Sequence, residues 1–333
     1  MIDQGLGAKQ NTPLNVVSRR GPIAKVKMER QMPVRTWEND EFNSHMSQPW
    51  QTYLDRIEKR LIHGFITNGE WFVDLGGGNG RLLDLYKNAY RNIVILDYSM
   101  SMLRDANQRL LRGRVQNVSL IAADVHHLPF VRNVFDAAMM VRLVHHVEDP
   151  ASIIYETHRV LKPRAAFLFE YQNKRNINYL FKGWLRIMKL KEINSQAPLQ
   201  VGRLHWNFHP RSIERILRDR FEVSRTLGGG LFWNRSMLTR SIPHLEAIDL
   251  ALARFLGRYN LTHQLFLRLQ VKKSKADGPS KARHRERSLL EILQCPICHC
   301  PSLAKRNHAL ICRKCTRSYE IVDNVYDFRS GTN

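Results

Sequence analysis

Cysteine is scarce in this sequence, and it is confined to one end. The chain of 333 residues has five cysteines, and all five lie between Cys295 and Cys315. Secreted domains that depend on disulfides distribute their cysteines through the fold. The sequence therefore argues against a disulfide-stapled secreted protein and favours a reducing compartment.

Long apolar runs are missing as well. No window approaches the roughly 20 apolar residues that a membrane-spanning helix needs. The first 35 residues contain basic side chains but no apolar stretch of signal-peptide length. We expect a cytoplasmic protein that is either soluble or peripheral to a membrane.

Acidic residues are too few to balance the basic ones. The chain has 52 Lys and Arg residues against 30 Asp and Glu residues, which gives a formal net charge of +22. Such an excess favours a polyanion such as RNA, or an anionic membrane surface, as a neighbour. Net charge alone does not choose between these two partners.

Composition divides the chain into four parts. Residues 1–46 are polar and basic without periodicity, which predicts a loosely ordered arm. Residues 47–271 hold the apolar segments of one large domain, with its core at 71–171. Residues 272–288 are basic and contain Gly and Pro, which is typical of a flexible linker. Residues 289–333 carry the cysteines and form a predicted second, small domain.

Short apolar runs alternate with helical patterns through the large domain. An amphipathic helix, Gln48–Phe65, leads into the first run, and a helix is predicted over residues 80–90 after it. Near-continuous apolar strands that alternate with helices are typical of a parallel α/β sheet covered on both faces. The five runs are Trp71–Leu75, Asn92–Asp97, Val118–Asp124, Phe135–Leu143 and Ala165–Tyr171.

A basic amphipathic helix is predicted over residues 174–191, within a substrate lid of about 173–215. Apolar side chains lie on one side of this helix, and lysines and arginines surround them. Three interpretations stay open: a solvated face over a covered active site, contact with an anionic membrane, or contact with nucleic-acid phosphates.

The stretch VDLGGGNGRLLDLY (Val73–Tyr86) ends a strand in Asp74 and continues through Gly76, Gly78 and Gly80. Glycines let the backbone turn sharply and approach a ligand closely. Their spacing is G-x-G-x-G, whereas dinucleotide-binding folds use G-x-G-x-x-G. This pattern resembles motif I of class I methyltransferases that depend on S-adenosylmethionine (SAM).

The two strands that follow carry further parts of this resemblance, in VILDYSMSMLRDA and AADVHHLPF. The resemblance implies that Asp97 binds the ribose hydroxyls, with Tyr98 and Met102 beside it. It also implies that Asp124 binds the adenine amino group and that the N–H of Val125 binds an adenine ring nitrogen.

The segments FDAAMMVRLVHHVEDP and ETHRVLKPRAAFLFE are similar to the fourth and fifth strand regions of the ubiquinone/menaquinone-methyltransferase-like branch. The resemblance covers Trp71–Tyr171 closely. It implies a Rossmann-like α/β fold with a seven-stranded, mostly parallel sheet and helices on both faces. It further implies methyl transfer from SAM, and it favours a small-molecule or lipid-like acceptor.

Residues after the fourth strand are expected to face the transferred methyl group, because ligands bind beyond the carboxyl ends of parallel strands. Arg142 is expected to contact the cofactor. His145 and His146 are candidate general bases, since imidazole titrates near neutral pH, or they shape the pocket. Weaker candidates are His126, His127, His205 and His209, the last of which could simply start a helix with Pro210.

The cysteines form two C-x-x-C pairs, Cys295 with Cys298 and Cys312 with Cys315. This spacing is typical of a zinc ribbon, in which two turns present four thiolates to one tetrahedral ion. Four ligands leave no open position, so the predicted zinc is structural. Cys300 lies outside the pattern.

Residues 289–328 resemble a family of small zinc-ribbon proteins that bind and activate methyltransferases acting on tRNA, ribosomal RNA and translation factors. The fusion predicts that the ribbon docks on the methyltransferase domain within the chain. It also keeps RNA or the translation machinery as an alternative acceptor. A non-catalytic SAM-fold scaffold is the third alternative.

Overall fold

The computed structural model describes residues 48–185, 187, 189–232, 244–273 and 287–332. The predicted arm, residues 1–46, lies outside these ranges. So do residues 274–286 of the predicted linker.

Strands and helices alternate along the first half of the described chain. The strands are β1 (Gly69–Leu75), β2 (Tyr90–Asp97), β3 (Val118–Ala122), β4 (Phe135–Met140), β5 (Leu161–Gln172), β6 (Leu199–Gly202), β7 (His205–Asn207), β8 (Phe221–Gly229), β9 (Gln264–Val271), β10 (Leu303–Arg306), β11 (Ala309–Cys312), β12 (Ser318–Val322) and β13 (Val325–Asp327). The α-helices are α1 (Pro49–His63), α2 (Met100–Gly113), α3 (Pro150–Val160), α4 (Ile177–Trp184), α5 (Leu190–Asn194), α6 (Pro210–Leu217), α7 (Leu245–Arg258) and α8 (Leu289–Ile292). None of these helices is long and apolar enough to cross a membrane.

One large sheet organises the fold, with the strand order β10-β11-β12-β13-β3-β2-β1-β4-β5-β9-β8. Strands β3, β2, β1, β4 and β5 run parallel, and β9 lies antiparallel between β5 and β8. The seven strands from β3 to β8 confirm the mostly parallel α/β sheet that the sequence predicts. The four strands beyond β3 belong to the cysteine-rich end of the chain.

The central strands are apolar on both sides because both faces of the sheet are covered. Along β2, Val94 and Leu96 pack into one apolar cluster, while Ile93 and Ile95 pack into the cluster on the other face. Side chains alternate across a strand, so a run without polar residues marks burial on both faces. Helices α1 and α2 cover one face, and helices α3 and α6 cover the other.

Capping side chains explain where two of these helices begin. The hydroxyl of Ser99 accepts from the Met102 N–H at the start of α2, and the carboxylate of Asp149 accepts from the Ala151 N–H at the start of α3. Pro150 follows Asp149 at the first helical position, where no N–H is needed.

The predicted helix over residues 80–90 is wrong. This segment forms turns around a short 3₁₀ helix, Leu83–Leu85. Tyr86 is fully buried and donates its hydroxyl hydrogen to Asp74, and Arg81 is paired with carboxylates of α1. These contacts fix the segment in a compact turn, so no α-helix follows the glycine loop.

The predicted fourth strand, Phe135–Leu143, is too long, because β4 ends at Met140. Arg142 adopts a φ of 57°, which ends the extended conformation. Its N–H donates to the Glu170 carboxylate at 2.8 Å instead of to a neighbouring strand. Residues 144–146 then form a 3₁₀ turn.

The single basic helix predicted over residues 174–191 is also wrong, because the chain folds back on itself there. A Cβ atom on Gly183 would lie 2.5 Å from Cδ2 of Leu190, so α4 and α5 approach each other at a glycine. The buried Lys174 Nζ donates to the carbonyl of Ala197 at 2.5 Å, which fixes the end of the fold-back. Two short helices, α4 and α5, replace the long one.

The cysteine-rich end extends the main sheet. Strand β13 pairs in parallel with β3, with Val325 opposite Leu120 and Asp327 opposite Ala122. The Phe328 N–H then donates to the carbonyl of Ala122 at 2.7 Å. The exposed edge that β3 would otherwise present is therefore paired within the chain.

A second seam joins the same two parts of the chain. The Gln294 N–H donates to the carbonyl of Pro129, and the Val131 N–H donates to the carbonyl of Ile292, both at 2.9 Å. Leu293, between these bonds, is fully buried in the cluster that also covers β1 and β2. The ribbon therefore contacts the large domain at two places.

Leu293→Ala should destabilise the large domain and not only the ribbon. Truncating a buried leucine costs about 2–5 kcal/mol, and helices α1 to α7 report on the large domain by circular dichroism in urea. The matched control is Ile297→Ala on the same segment, where the side chain is 58% exposed and the expected loss is below about 0.5 kcal/mol. A helical transition that keeps its wild-type midpoint in Leu293→Ala would show that the ribbon unfolds as a separate unit.

Candidate active site and zinc centre

One cavity of about 250 Å³ opens beyond the carboxyl ends of β1, β2, β3 and β4. It brings together eleven of the twelve residues that the sequence predicts for cofactor binding and catalysis. They are Asp74, Gly76, Gly78, Asp97, Tyr98, Met102, Asp124, Val125, Arg142, His145 and His146. The exception is Gly80, which lies in the turn behind the loop with a φ of 70°.

The glycine loop needs glycine at specific points. Gly76 and Gly78 have φ angles of 73° and 52°, in the left-handed region that other residues rarely adopt. A Cβ atom on Gly77 would lie 2.9 Å from the carboxylate of Asp74. The loop therefore rests directly on Asp74 and leaves its other side open to the cavity.

Asp74 supports this loop from below. Its carboxylate is almost completely buried and accepts from the Tyr86 hydroxyl at 2.7 Å. Burial raises the pKa of Asp74 to about 7, and the hydrogen bond from Tyr86 opposes that rise. A carboxyl group held in this way is suited to fixing the loop.

Asp97 ties the glycine loop to helix α2. One carboxylate oxygen accepts from the Gly78 N–H at 2.9 Å, and the other accepts from the Ser99 N–H at 2.8 Å. Burial raises the pKa of Asp97, and these backbone donors counteract the rise. A carboxylate at the end of a parallel strand, facing a cavity, fits a ribose diol.

Asp124 is partnered by its own neighbour in sequence. It accepts from the backbone N–H of His126 at 2.9 Å and lies 2.7 Å from the Nδ1 atom of the same residue. Burial alone would raise the pKa of Asp124, but the bonds from His126 lower it overall. His126 therefore serves Asp124 and, like His127, is absent from the cavity lining.

A buried ion network links the two loops that border the cavity. The fully buried Glu58 of α1 accepts from Arg142 Nε at 2.7 Å and also pairs with Arg81. Arg142 Nη1 donates to the amide oxygen of Gln51 at 2.7 Å. The side chain of Arg142 thus borders the cavity but is directed toward α1.

Three histidines, His145, His146 and His205, form a histidine cluster at the other end of the cavity. The ring of His145 lies 4.1 Å from that of His146 and 4.7 Å from that of His205, between centroids. Nδ1 of His146 lies 3.0 Å from the carbonyl oxygen of Leu204, and Nε2 of His205 lies 2.7 Å from the amide oxygen of Gln172. Both oxygens are acceptors, so these two nitrogens carry hydrogen and donate.

His145 is the member of the cluster that resists protonation. Its Nδ1 atom is buried and has no hydrogen-bond partner among the described residues. Burial, together with the nearby His146, His205 and Arg142, lowers its pKa well below the usual range. His145 is therefore suited to accepting a hydrogen bond.

The histidine cluster also has the spacing of a metal site, since its ring nitrogens lie within 4.8 Å of one another. The charged neighbour of the cluster is the cation Arg142, which lowers the pKa of His145. The carboxylate of Glu58 pairs with Arg142 and offsets its charge, so this neighbour does not exclude a metal ion. The cluster has the geometry for hydrogen bonding, proton transfer or metal binding.

Several residues that line the cavity, or that support it from α1, were not identified from the sequence. Glu58 could have been identified from the sequence. Helical spacing places it beside Leu54 and Leu61 on the apolar face of α1, where a charged residue is unexpected. For the residues that line the cavity, no local sequence pattern gave such a signal. The additional lining residues include Trp50, Gln51, Arg81, Gln172, Tyr179 and His263.

His209 caps a helix, as the sequence allowed. Its Nδ1 atom accepts from the Arg211 N–H at 3.1 Å at the start of α6, and Pro210 occupies the first helical position. His209 is absent from the lining of the cavity.

The four predicted zinc ligands meet at one point of the ribbon. Sγ of Cys298 lies 3.5 Å from Sγ of Cys312, and Sγ of Cys295 lies 3.6 Å from Sγ of Cys315. Four thiolates bound at 2.3 Å to a tetrahedral ion would lie about 3.8 Å apart, so the donor set fits zinc. The Tyr319 hydroxyl, 3.0 Å from Sγ of Cys295, is placed to donate to that sulfur.

Cys300 shapes the ribbon without joining the ligand set. Its carbonyl oxygen accepts from the Cys295 N–H at 2.9 Å, which closes the first metal-binding turn. Its side chain packs against the apolar cluster beneath the ribbon. The metal-binding group contains only the other four cysteines.

Two families match separate parts of the chain. Residues 73–169 match the family described as methyltransferase domain, and residues 286–324 match the family described as Trm112p-like protein.

Curated relatives match part of the chain. The biotin biosynthesis bifunctional protein BioHC of Saccharophagus degradans is 32% identical over 44% of this chain and 25% of its own length. The ubiquinone/menaquinone biosynthesis C-methyltransferase UbiE of Desulfotalea psychrophila is 32% identical over 33% of this chain and 45% of its own length. The malonyl-[acyl-carrier protein] O-methyltransferase of Salmonella typhimurium is 26% identical over 59% of this chain and 79% of its own length.

The chain thus spans a quarter of the first of these relatives and less than half of the second. The family matches include the glycine loop, Asp97, His145 and His146 in one part, and the four cysteines in the other. The chain therefore joins a region that matches the methyltransferase-domain family to a region that matches the Trm112p-like family.

Proposed function

We propose that the protein transfers a methyl group from SAM to an apolar small-molecule or lipid-like acceptor. The observation that carries this proposal is a single cavity bordered by the glycine loop and Asp97 at one end and by the histidine cluster at the other. One end offers groups suited to a nucleoside, and the other offers proton acceptors. When bound, SAM supplies a methyl group already activated on a sulfonium, so the protein must mainly orient the reactants.

The cofactor end provides hydrogen-bond acceptors and a backbone that a ligand can approach closely. Asp97 would accept hydrogen bonds from the ribose hydroxyls, and Asp124 would accept from the adenine amino group. The glycine loop allows close approach because Gly76 and Gly78 have no side chain to obstruct the cavity. Asp74 holds that loop from below and does not need to contact the ligand.

The acceptor end combines apolar side chains with the polar groups of the histidine cluster, Gln172, His263 and Gln264. The apolar side chains suit an acceptor with an apolar body, and the polar groups can orient its reacting atom. The apolar lining residues nearest in sequence to the histidines and to the α4 region are Val141, Leu143, Tyr179 and Val201.

His146 is the general base in this proposal. The Leu204 carbonyl accepts from Nδ1–H of His146 and would stabilise the charge that develops when Nε2 takes a proton from the acceptor. His145, kept neutral by burial, would accept a hydrogen bond from the same acceptor group. Gln172 fixes the ring of His205 beside them.

The names of two relatives support acceptors of this kind. One is a C-methyltransferase of ubiquinone and menaquinone biosynthesis, and the other is an O-methyltransferase of malonyl-[acyl-carrier protein]. A methyltransferase of RNA or the translation machinery is the second candidate. It is favoured by the Trm112p-like domain and the net charge of +22.

In this proposal the ribbon supports the cofactor end of the cavity. Strand β13 pairs with β3, the strand that leads to Asp124. Arg329 of the ribbon donates to the carbonyl of Tyr98 at 3.2 Å, and Tyr98 lines the cavity. Zinc would act through this contact by keeping the ribbon folded.

Asp97→Asn should weaken SAM binding tenfold or more, measured by calorimetry. The amide keeps one acceptor oxygen for the backbone but loses the charge that strengthens bonds to the ribose hydroxyls, each worth about 1.5–3 kcal/mol. Asp84→Asn is the control, because its side chain is 72% exposed and should leave affinity unchanged. Unchanged affinity in Asp97→Asn would refute the ribose assignment, and no SAM binding by the wild type would favour a non-catalytic scaffold.

His146→Gln should lower methyl transfer about 100-fold or more while SAM affinity stays at the wild-type value, because proton transfer contributes 10²–10⁴ to such rates. Labelled SAM would be incubated with an organic extract and with total RNA, and the label counted in each fraction. His127→Gln, outside the cavity, is the control. Label in the RNA would favour the second candidate, and full activity in His146→Gln would exclude the base.

Cys312→Ser should remove zinc and weaken SAM binding together, because the ribbon contacts β3 and Tyr98. Metal analysis should find one zinc per wild-type chain. Cys300→Ser is the matched control and should keep both zinc and affinity, because Cys300 is not in the ligand group. Wild-type SAM affinity in zinc-free Cys312→Ser would show that the ribbon does not support the cofactor end.

A further inference from the structure

Large apolar side chains are exposed in the segment that contains α4 and α5. Phe181 is 54% exposed, Trp184 is 72% exposed and Ile187 is 68% exposed. Leu185 and Leu190 are each 46% exposed. Contiguous exposed apolar side chains of this size mark a contact surface more often than a solvated one.

A second apolar stripe adjoins this segment. Helix α7 exposes Ile248, Leu252 and Phe255, and Tyr259 at its C-cap is exposed as well; their spacing of four, three and four residues places them on one face. Just after α7, the carbonyl of Leu261 accepts from the N–H of Ile177, the first residue of α4, at 2.8 Å. The α7 stripe therefore adjoins the first turn of α4.

Basic residues accompany both apolar surfaces. The sequence of residues 174–194 contains six lysines and arginines and a single acidic residue, Glu192. Lys189 and Lys191 are exposed between the apolar side chains, and Arg254 and Arg258 are exposed on α7. Apolar side chains surrounded by lysine and arginine are the composition of segments that lie in the interface of anionic membranes.

The same segment borders the cavity. Tyr179 of α4 is buried and lines it, and Val201, in the hairpin that follows α5, is exposed and lines it as well. Inward-facing residues therefore form a wall of the acceptor end, while their neighbours Phe181 and Trp184 face outward. An acceptor that leaves an apolar phase at this surface would reach the cavity along apolar side chains.

We propose that the α4–α5 segment, residues 177–194, is a membrane-docking surface that inserts Phe181, Trp184 and Ile187 into an anionic phospholipid bilayer. The docking places the acceptor end of the cavity at the membrane, so the acceptor is a lipid-like molecule taken from the bilayer. The identity of the acceptor rests on the proposed methyl transfer, whereas the docking itself does not. Aliphatic residues such as Ile187 and Leu190 favour lipid over nucleic acid, because bases stack on aromatic rings.

The test uses the full-length, zinc-loaded protein in co-sedimentation with vesicles. Vesicles of equal phosphatidylglycerol and phosphatidylcholine should bind the wild type at least tenfold more strongly than vesicles of phosphatidylcholine alone, because lysines add attraction to anionic lipid. The double variant W184S/I187S should lose tenfold or more of this binding, since burial of apolar side chains in the bilayer interface drives the docking. Leu111→Ser is the control, because Leu111 is equally exposed at 66% but lies on α2.

The charge variant K189E/K191E should weaken binding to the anionic vesicles and leave binding to neutral vesicles unchanged. The docking surface is wrong if the wild type does not sediment with anionic vesicles, or if W184S/I187S binds them as the wild type does. It is also wrong if the wild type binds total RNA in a gel shift but binds no vesicles, and W184S/I187S loses the RNA binding.

Calorimetry with SAM separates this proposal from the proposed function. W184S/I187S should bind SAM with wild-type affinity, because neither side chain lines the cavity. If the wild type binds SAM but not vesicles, the docking surface is wrong and the proposed methyl transfer is unaffected. Vesicle binding by a wild type that does not bind SAM supports the docking surface and contradicts methyl transfer.

Discussion

The buried carboxylate of Glu58 holds the two loops between which the cavity lies. It pairs with Arg81, just after the glycine loop, and with Arg142, just before the histidine cluster. Burial would raise the pKa of Glu58, but the two guanidinium groups lower it overall, so the carboxylate stays ionised. Removing it would take the carboxylate partner from Arg142 and leave Arg81 with Asp55, and the loss of such a buried pair costs more than the loss of a surface pair. Helix α1 thereby sets the distance between the cofactor end and the acceptor end.

Two further parts of the chain complete the cavity from opposite sides. The ribbon pairs β13 with β3 and contacts Tyr98, so it stabilises the side that carries Asp97 and Asp124. The α4–α5 segment borders the acceptor end with Tyr179 and exposes Trp184 on its outer surface. In the proposed mechanism, support of the cofactor site and access for the acceptor depend on different parts of one fold, so zinc can affect methyl transfer without touching substrate.

Local patterns made the strands and the zinc ligands predictable, because apolar runs and C-x-x-C spacing are properties of neighbouring residues. Asp97 was predictable for the same reason, as an acid at the end of such a run. Contacts between residues distant in sequence were not predictable. Glu58 and Arg142, for example, are 84 positions apart. The prediction of a helix after Gly80 was wrong because Tyr86 is buried and donates a hydrogen bond to Asp74. No local sequence pattern predicts that hydrogen bond.

The central claim is that one cavity holds the nucleoside of SAM at Asp97 and presents its sulfur to the histidine cluster. A crystal structure with S-adenosylhomocysteine tests this claim most directly. The account predicts ribose hydroxyls within hydrogen-bond distance of Asp97, the adenine amino group at Asp124, and the sulfur facing His145 and His146. A ligand bound elsewhere, or one whose ribose does not contact Asp97, would contradict it.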